Sequence, residues 1–184
     1  MTDRPGPKYL PGDPPPPADV ARMIRVDQAG EYGAVRIYAG QQAVLGRRAV
    51  GPVIREMAEQ EARHLARFND VVNERGVRPT VLSPVWHVLG YALGFGTAMM
   101  GERAAMACTA AVEEVIDQHY ASQSERLGDD ETPLKTLIDE SRAEECAHRE
   151  IALAHDAEKA PGYPVLSAAI KTGSRMAIWL SERI

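Results

Sequence analysis

Residues 52–65 read PVIREMAEQEARHL, and this stretch contains the pattern on which the fold prediction depends. Its apolar residues recur at helical spacing, yet Glu61 and His64 lie on the same apolar stripe. The same Glu-x-x-His spacing returns at Glu145 and His148, again on the apolar stripe of a helical segment. Residues three apart share one helix face, so each pair predicts a polar site inside a helical bundle.

Two further acids, Glu31 and Glu113, interrupt the apolar stripes of two other helical segments. Each precedes a Glu-x-x-His pair by about thirty residues, so the chain repeats an antiparallel helix pair. Four carboxylates facing one core would repel each other and cannot all stay ionised without a cation. With two imidazoles they match the ligand set of a di-iron or di-manganese centre in a ferritin-like bundle. The predicted metal ligands are Glu31, Glu61, His64, Glu113, Glu145 and His148.

The pattern is helical from Asp19 onward, with Asp19 as the expected N-cap, and no strand-like alternation stands out. We therefore expect an all-α, ferritin-like four-helix bundle with a di-iron centre and one or two extra amphipathic or hydrophobic helices. Residues 1–17 are expected to form a proline-rich arm, and residues 18–184 a single bundle domain. The expected helices span about 19–45, 52–76, 79–101, 102–127, 133–159 and 165–182.

The composition of the chain argues against several classes of function and site. The formal net charge is −5, which argues against a nucleic-acid partner. The two cysteines are too few for a disulfide framework or a four-thiolate metal site. Residues 1–17 lack an apolar signal core, so we expect neither a secretory signal nor a transit peptide.

Residues 79–101, PTVLSPVWHVLGYALGFGTAMMG, contain no acidic or basic side chain. The segment is as long as a membrane span, but Pro84, His87 and four glycines are unfavourable for one. We expect a helix that lies on a bilayer surface or lines an apolar cavity; a buried core helix is the alternative. The residues expected to form this membrane surface or substrate channel are Trp86, Leu89, Tyr91, Leu93 and Phe95.

Several polar neighbours of the predicted ligands are candidates for supporting roles. Glu144 precedes Glu145 and could hydrogen-bond a ligand imidazole, and Asp27 is a second candidate for that contact. The alternative for both is a plain surface acid. His119 and Tyr120 follow Glu113 by about two helical turns and could contact the substrate, or form a hydrogen-bonded core pair.

Four stretches closely resemble the demethoxyubiquinone hydroxylase family of ubiquinone biosynthesis. They include VDQAGEYGAVRIYAGQQAVLGR at 26–47, the 52–65 stretch, and RPTVLSPVWHVLGYALGFGTAMMGERAAMACTAAVEEVIDQHY at 78–120, which contains the uncharged WHVLGYALGFGTA. The fourth is EECAHREIALAHDAEKAPGYPVL at 144–166, and the resemblance runs from about Asp19 to Ile184. It implies that residues 18–184 are a ferritin-like di-iron hydroxylase domain.

The resemblance also implies an activity and a ligand set. The family's iron ligands fall on the six residues selected above from helical phase, and its active-site His-Tyr pair falls on His119 and Tyr120. The enzyme would hydroxylate the ring of a polyprenyl demethoxybenzoquinone or its quinol. It would use two iron ions per chain, O₂ and two electrons. The enzyme would thus be an oxidoreductase, a demethoxyubiquinone monooxygenase, with electrons arriving from NADH through the quinone.

Further implications of the resemblance concern partners and location. A lipid-binding helper protein would deliver the quinone, and the enzyme would attach peripherally to a membrane. The expected location is the cytoplasmic face of a bacterial cell membrane, and the alternative is the matrix side of the mitochondrial inner membrane.

Other functions remain open at this point. One is a ferritin-like iron-handling or peroxide-reducing protein that uses the same centre. Another is a non-enzymatic quinone- or lipid-binding helical module, in which the acids are structural and both histidines are hydrogen-bonded core residues.

Overall fold

The computed structural model describes residues 16–184, and this part of the chain forms six α-helices and two short 3₁₀ turns without a β-strand. The all-α prediction is confirmed. The helices are α1 (Pro16–Leu45), α2 (Gly51–Glu74), α3 (Ser83–Met99), α4 (Glu102–Arg126), α5 (Thr132–Ala154) and α6 (Tyr163–Arg183).

Helix α1 begins at Pro16, inside the proline run, so the prediction of Asp19 as its N-cap is wrong. Proline has no N–H to leave unpaired and its fixed φ suits a first helical turn, so the helix can start there. Asp19 lies in that first turn, and its carboxylate accepts hydrogen bonds of 2.5 and 2.7 Å from Arg126. Most of the predicted proline-rich arm, residues 1–15, lies outside the described residues.

The helix predicted at 133–159 is shorter than expected. Helix α5 ends at Ala154, and the chain turns at Asp156, whose φ of 62° is left-handed. A 3₁₀ turn at Ala157–Lys159 follows. The helical pattern therefore continued in the sequence past the point where the backbone reverses direction.

Helices α1, α2, α4 and α5 form the four-helix bundle, and α3 and α6 are two additional helices. Helix α1 packs against α2, and α4 packs against α5. The connections within each pair are short, at 46–50 and 127–131, which makes the paired helices antiparallel neighbours. Helix α3 packs on α1, while α6 packs on α4 and α1.

Two apolar clusters occupy opposite ends of the bundle. Ile54 and Met106 belong to the cluster beside the α1–α2 connection, and Phe68 and Ile138 belong to the one at the other end. The middle turns of the four bundle helices lie between these clusters. The predicted Glu and His ligands all come from those middle turns.

Helix α3 crosses α1 at backbone contact distance. A Cβ atom on Gly94 would overlap the carbonyl oxygen of Ile37, and one on Gly40 would overlap the carbonyl oxygen of Tyr91. The close crossing leaves the outer face of α3 exposed, with 62% of Val88 and 54% of Leu89 accessible. The alternative of a buried core helix is therefore wrong for this segment. Within residues 16–184, no helix is both long and apolar enough to cross a membrane.

We predict that Gly94→Ala destabilises the protein by about 1–3 kcal/mol, because the new methyl group forces α3 away from α1. Thermal unfolding followed by circular dichroism would measure the change. The matched control is Gly96→Ala in the same helix, where a Cβ atom meets nothing within 4 Å. Equal unfolding midpoints for the two variants would contradict the close crossing.

Candidate metal centre

The six predicted ligands come together in the middle of the bundle as two overlapping groups. Within each group, one nitrogen or oxygen atom per residue lies within 4.8 Å of the others. The first group is Glu31, Glu61, His64 and Glu145. The second group is Glu61, Glu113, Glu145 and His148. Glu61 and Glu145 belong to both, so their carboxylates lie where they could bridge two ions.

All six side chains are withdrawn from solvent, with at most 3% of any residue exposed. Their burial follows from helical phase, because each occupies a core-facing position that an apolar residue would otherwise fill. The centre thus combines four carboxyl groups and two imidazoles in a space closed at both ends by apolar clusters.

Several of these buried atoms have no hydrogen-bond partner. They are both carboxyl oxygens of Glu61, one oxygen each of Glu31 and Glu145, and Nδ1 of His148. Nδ1 of His148 lies 3.0 Å from an oxygen of Glu61 and 3.2 Å from one of Glu145, but neither contact is a hydrogen bond. Buried polar atoms are normally satisfied, and an unpaired buried carboxylate costs several kcal/mol. Carboxylate oxygens with imidazole nitrogens are ligands that divalent iron and manganese accept. The residues therefore fit a pair of metal ions.

Without a cation, the charge of the centre depends on which of its carboxyl and imidazole groups are protonated. Burial and the charge of Glu145 raise the pKa of Glu61 and of Glu113 well above the usual value for glutamate. Burial would also raise the pKa of Glu145, but its close contacts with the imidazoles of His148 and His64 lower it to about 2. Burial alone would lower the pKa of His64, yet hydrogen bonds to Glu145 and Glu31 raise it to about 10.

Each candidate ligand histidine has an outer partner on a different helix. Nε2 of His64 lies 3.1 Å from Oε2 of Glu144, and Nε2 of His148 lies 2.5 Å from Oε1 of Gln60. These oxygens can only accept, so each Nε2–H donates and Nδ1 is left facing the carboxylates. The structure thus places Glu144 at the predicted contact. Gln60 was missed, although it precedes Glu61 as Glu144 precedes Glu145.

Asp27 was expected to contact a ligand imidazole, but the structure places it away from both His64 and His148. Its Oδ1 lies 3.3 Å from Nε2 of His119 and accepts a 2.8 Å hydrogen bond from Gln123. Asp27 lies one helical turn before Glu31, which puts it at the level of Gln123 rather than of the ligands.

Two tyrosine hydroxyls contact the candidate ligands. Tyr120 donates a hydrogen bond to Glu31, and Tyr38 donates one of 3.1 Å to Oε1 of Glu113. Of the predicted His119–Tyr120 pair, Tyr120 therefore touches the centre, while His119 is linked to Asp27. Tyr38 was missed, because tyrosine on an apolar stripe looks like an ordinary core residue.

An apolar cavity of about 480 Å³ lies beside the centre, between α1, α3, α4 and α6. Residues next to two candidate ligands form part of its wall, namely Gly30 beside Glu31 and Val112 beside Glu113. Of the five residues predicted to form a membrane surface or channel, three line it: Trp86, Leu89 and Leu93. The other two, Tyr91 and Phe95, stack on each other with ring centres 6.1 Å apart.

We predict that the metal-free protein loses stability as the pH rises from about 6 to 9. Folding raises the pKa of Glu61 and Glu113, so the unfolded chain releases protons that the folded state keeps. His64 acts in the same direction, because its stabilising protonation is lost as the pH rises toward its pKa of about 10. Adding Co²⁺ should offset the loss. Unfolding midpoints across this range test the sign, and a midpoint that rises with pH in the metal-free protein would contradict it.

Comparison with known proteins identifies the family. Residues 18–181 match the model of a family described as Ubiquinone biosynthesis protein COQ7. The 3-demethoxyubiquinol 3-hydroxylase of Rhodospirillum rubrum is 60% identical over 176 residues, covering 95% of this chain and 83% of that protein. The human mitochondrial NADPH-dependent 3-demethoxyubiquinone 3-hydroxylase is 56% identical over 171 residues, covering 91% and 79%.

A more distant relative is the mitochondrial 5-demethoxyubiquinone hydroxylase of Saccharomyces cerevisiae, which is 41% identical over 180 residues, with coverage of 89% and 77%. These matches run through all four bundle helices and both additional helices. They confirm the resemblance and, with the helical architecture, the ferritin-like fold. The chain belongs to the COQ7 family, the demethoxyubiquinone hydroxylases of ubiquinone biosynthesis.

Proposed function

We propose that this chain hydroxylates the ring of a polyprenyl demethoxybenzoquinone or its quinol, using O₂, two electrons and two iron ions per chain. Its family membership makes it an oxidoreductase of ubiquinone biosynthesis. The observation that carries the proposal is the pair of four-residue ligand groups that share Glu61 and Glu145 beside an apolar cavity.

In this proposal, Glu31 and His64 would hold one ion, Glu113 and His148 would hold the other, and Glu61 and Glu145 would be available to both. Bound iron would supply the redox chemistry that reduces O₂ and transfers oxygen to the ring. The hydroxyls of Tyr120 and Tyr38 would hold Glu31 and Glu113 in fixed orientations. We propose that His119, which contacts Asp27, assists the hydroxylation.

The cavity suits the proposed substrate. None of the described residues that line it is charged, and two serines are its most polar members. Leu89 and Met176 line the cavity and are also 54% and 60% exposed, so it reaches the molecular surface between α3 and α6. A quinone ring could enter there and approach the centre while its polyprenyl tail stays in an apolar phase. The apolar walls would also keep water away from the reacting ring.

We also propose that the outer faces of α3 and α6 attach the protein peripherally to a membrane. Val85 and Val88 on α3, and Val165 and Trp179 on α6, are exposed apolar side chains. The human and yeast relatives are named as mitochondrial proteins, and Rhodospirillum rubrum is a bacterium. The proposed locations are correspondingly the matrix side of the mitochondrial inner membrane or the cytoplasmic face of a bacterial membrane.

Delivery of substrate and electrons belongs to the same proposal. A lipid-binding helper protein would present the quinone at the α3–α6 opening. The name of the human relative assigns NADPH dependence to that protein. We propose that a reduced nicotinamide nucleotide supplies the electrons to this chain through the quinone.

We predict that Glu113→Ala or Glu145→Ala abolishes hydroxylation, because each removes a ligand of the proposed iron pair. Liposomes containing a demethoxyquinone, with NADH or a chemical reductant, would be assayed for hydroxylated product and for iron content. The control is Glu150→Ala, an exposed acid on α5. Full activity in either ligand variant with an unchanged circular dichroism spectrum would defeat the proposal. An iron content below one per wild-type chain would also defeat it.

We predict that Val88→Glu weakens binding to phosphatidylcholine vesicles, because a charge on the exposed face of α3 must be desolvated on attachment. Flotation with vesicles measures the bound fraction. Ala66→Glu on the exposed side of α2 introduces the same charge away from α3 and should bind as the wild type does. Equal flotation of the two variants would count against this membrane surface.

A further inference from the structure

The candidate centre has an approximate two-fold repeat that extends beyond the ligands. Tyr38 follows Glu31 on α1 by two helical turns, and Tyr120 follows Glu113 on α4 in the same way. Each tyrosine hydroxyl donates to the glutamate of the opposite helix, so the two contacts are exchanged between α1 and α4.

The repeat continues one helical turn further along both helices. Gln41 follows Tyr38 and donates a 3.2 Å hydrogen bond to the Thr109 hydroxyl of α4. Gln123 follows Tyr120 and donates a 2.8 Å hydrogen bond to the carboxyl group of Asp27 in α1. Thr109 and Asp27 each lie one turn before a candidate ligand glutamate and are therefore equivalent positions.

The candidate ligands show the same two-fold repeat. Each four-residue group contains the two shared glutamates, one further glutamate and one histidine. The direct ligands therefore give the two metal positions the same formal charge and the same donor types. Any difference between the positions must come from groups outside the ligand set.

The repeat is broken at the outer partners of the imidazoles. Glu144 accepts from Nε2 of His64, whereas Gln60 accepts from Nε2 of His148. Both residues immediately precede a ligand glutamate, and both reach across to the histidine of the opposite helix. One imidazole therefore has an anionic partner and the other has a neutral amide.

A carboxylate that accepts from an imidazole N–H makes the other ring nitrogen a stronger metal ligand and adds negative charge nearby. A neutral amide fixes the ring orientation without adding charge. We infer that the two metal positions are inequivalent, and that the position formed with Glu31 and His64 binds the first divalent ion. The inference rests on the proposed two-metal centre and adds the order in which that centre fills.

A second difference between the halves acts in the same direction. Asp27, on the Glu31 side, is an acid where its counterpart Thr109, on the Glu113 side, is a neutral hydroxyl. Asp27 adds less negative charge to its metal position than Glu144 does. Burial raises the pKa of Asp27, and His119 lies against its carboxyl group.

The test is a titration of the metal-free protein with Co²⁺, followed by calorimetry. Wild type should bind two ions in separate steps. Glu144→Gln keeps an acceptor for Nε2–H of His64 but removes the negative charge, so it should weaken the tighter step, by up to the roughly 10–100-fold range seen when outer histidine partners are mutated. Gln60→Glu should strengthen the weaker step. The matched control, Glu150→Gln, removes an exposed charge from the same helix and should leave both steps unchanged.

A crystal prepared with one equivalent of Co²⁺ identifies the position that fills first. An anomalous peak beside His64 in wild type, which moves to His148 in the Gln60→Glu/Glu144→Gln double variant, supports the inference. A wild-type peak beside His148, or step separations that neither single variant changes, overturns it. Equal binding at two positions also overturns it, but leaves the proposed metal centre standing. If wild type binds no Co²⁺ at all, the proposed metal centre fails as well.

Discussion

Mutual repulsion among four buried carboxyl groups is the constraint on which the rest of this structure depends. Glu31, Glu61, Glu113 and Glu145 share one interior space with two imidazoles, and several of their oxygens have no hydrogen-bond donor. Such an arrangement is stable only with protons or cations that compensate the charge. In the metal-free protein, the raised pKa values of Glu61 and Glu113 and the protonation of His64 supply that compensation. A pair of divalent ions would replace those protons.

The surrounding architecture closes this charged interior off from solvent. Apolar clusters close the bundle at both ends, and the cross-helix hydrogen bonds of Tyr38 and Tyr120 join α1 to α4 at the level of the ligands. Helix α3 approaches α1 through glycines and, with α6, encloses an apolar cavity against the same two helices. The two additional helices thus place an uncharged cavity beside the charged centre, which suits the apolar substrate proposed above.

The two halves of the bundle are built alike but are not chemically identical. The same series of cross-helix contacts occurs along α1 between Glu31 and Gln41 and along α4 between Glu113 and Gln123. These contacts hold the two similar ligand groups in place. Replacement of an amide by a carboxylate at one outer position is sufficient to make the two groups differ in charge. This difference costs no change in the backbone, because Gln60 and Glu144 occupy equivalent helical positions.

The sequence alone determined the helical class and the family resemblance. It also selected the six Glu and His residues that the structure brings together, because helical phase reports which side of each helix faces the core. It overestimated the length of α5 and misplaced the start of α1, since capping and chain reversal depend on local backbone geometry that periodicity does not record. Only the tertiary structure decided that Glu61 and Glu145 are shared, that Gln60 and Tyr38 contact the centre, and that Asp27 lies at His119. It also decided that α3 lines a cavity with one face exposed. The physical reason is that phase within one helix is local, whereas contacts between helices depend on their relative axial register and separation.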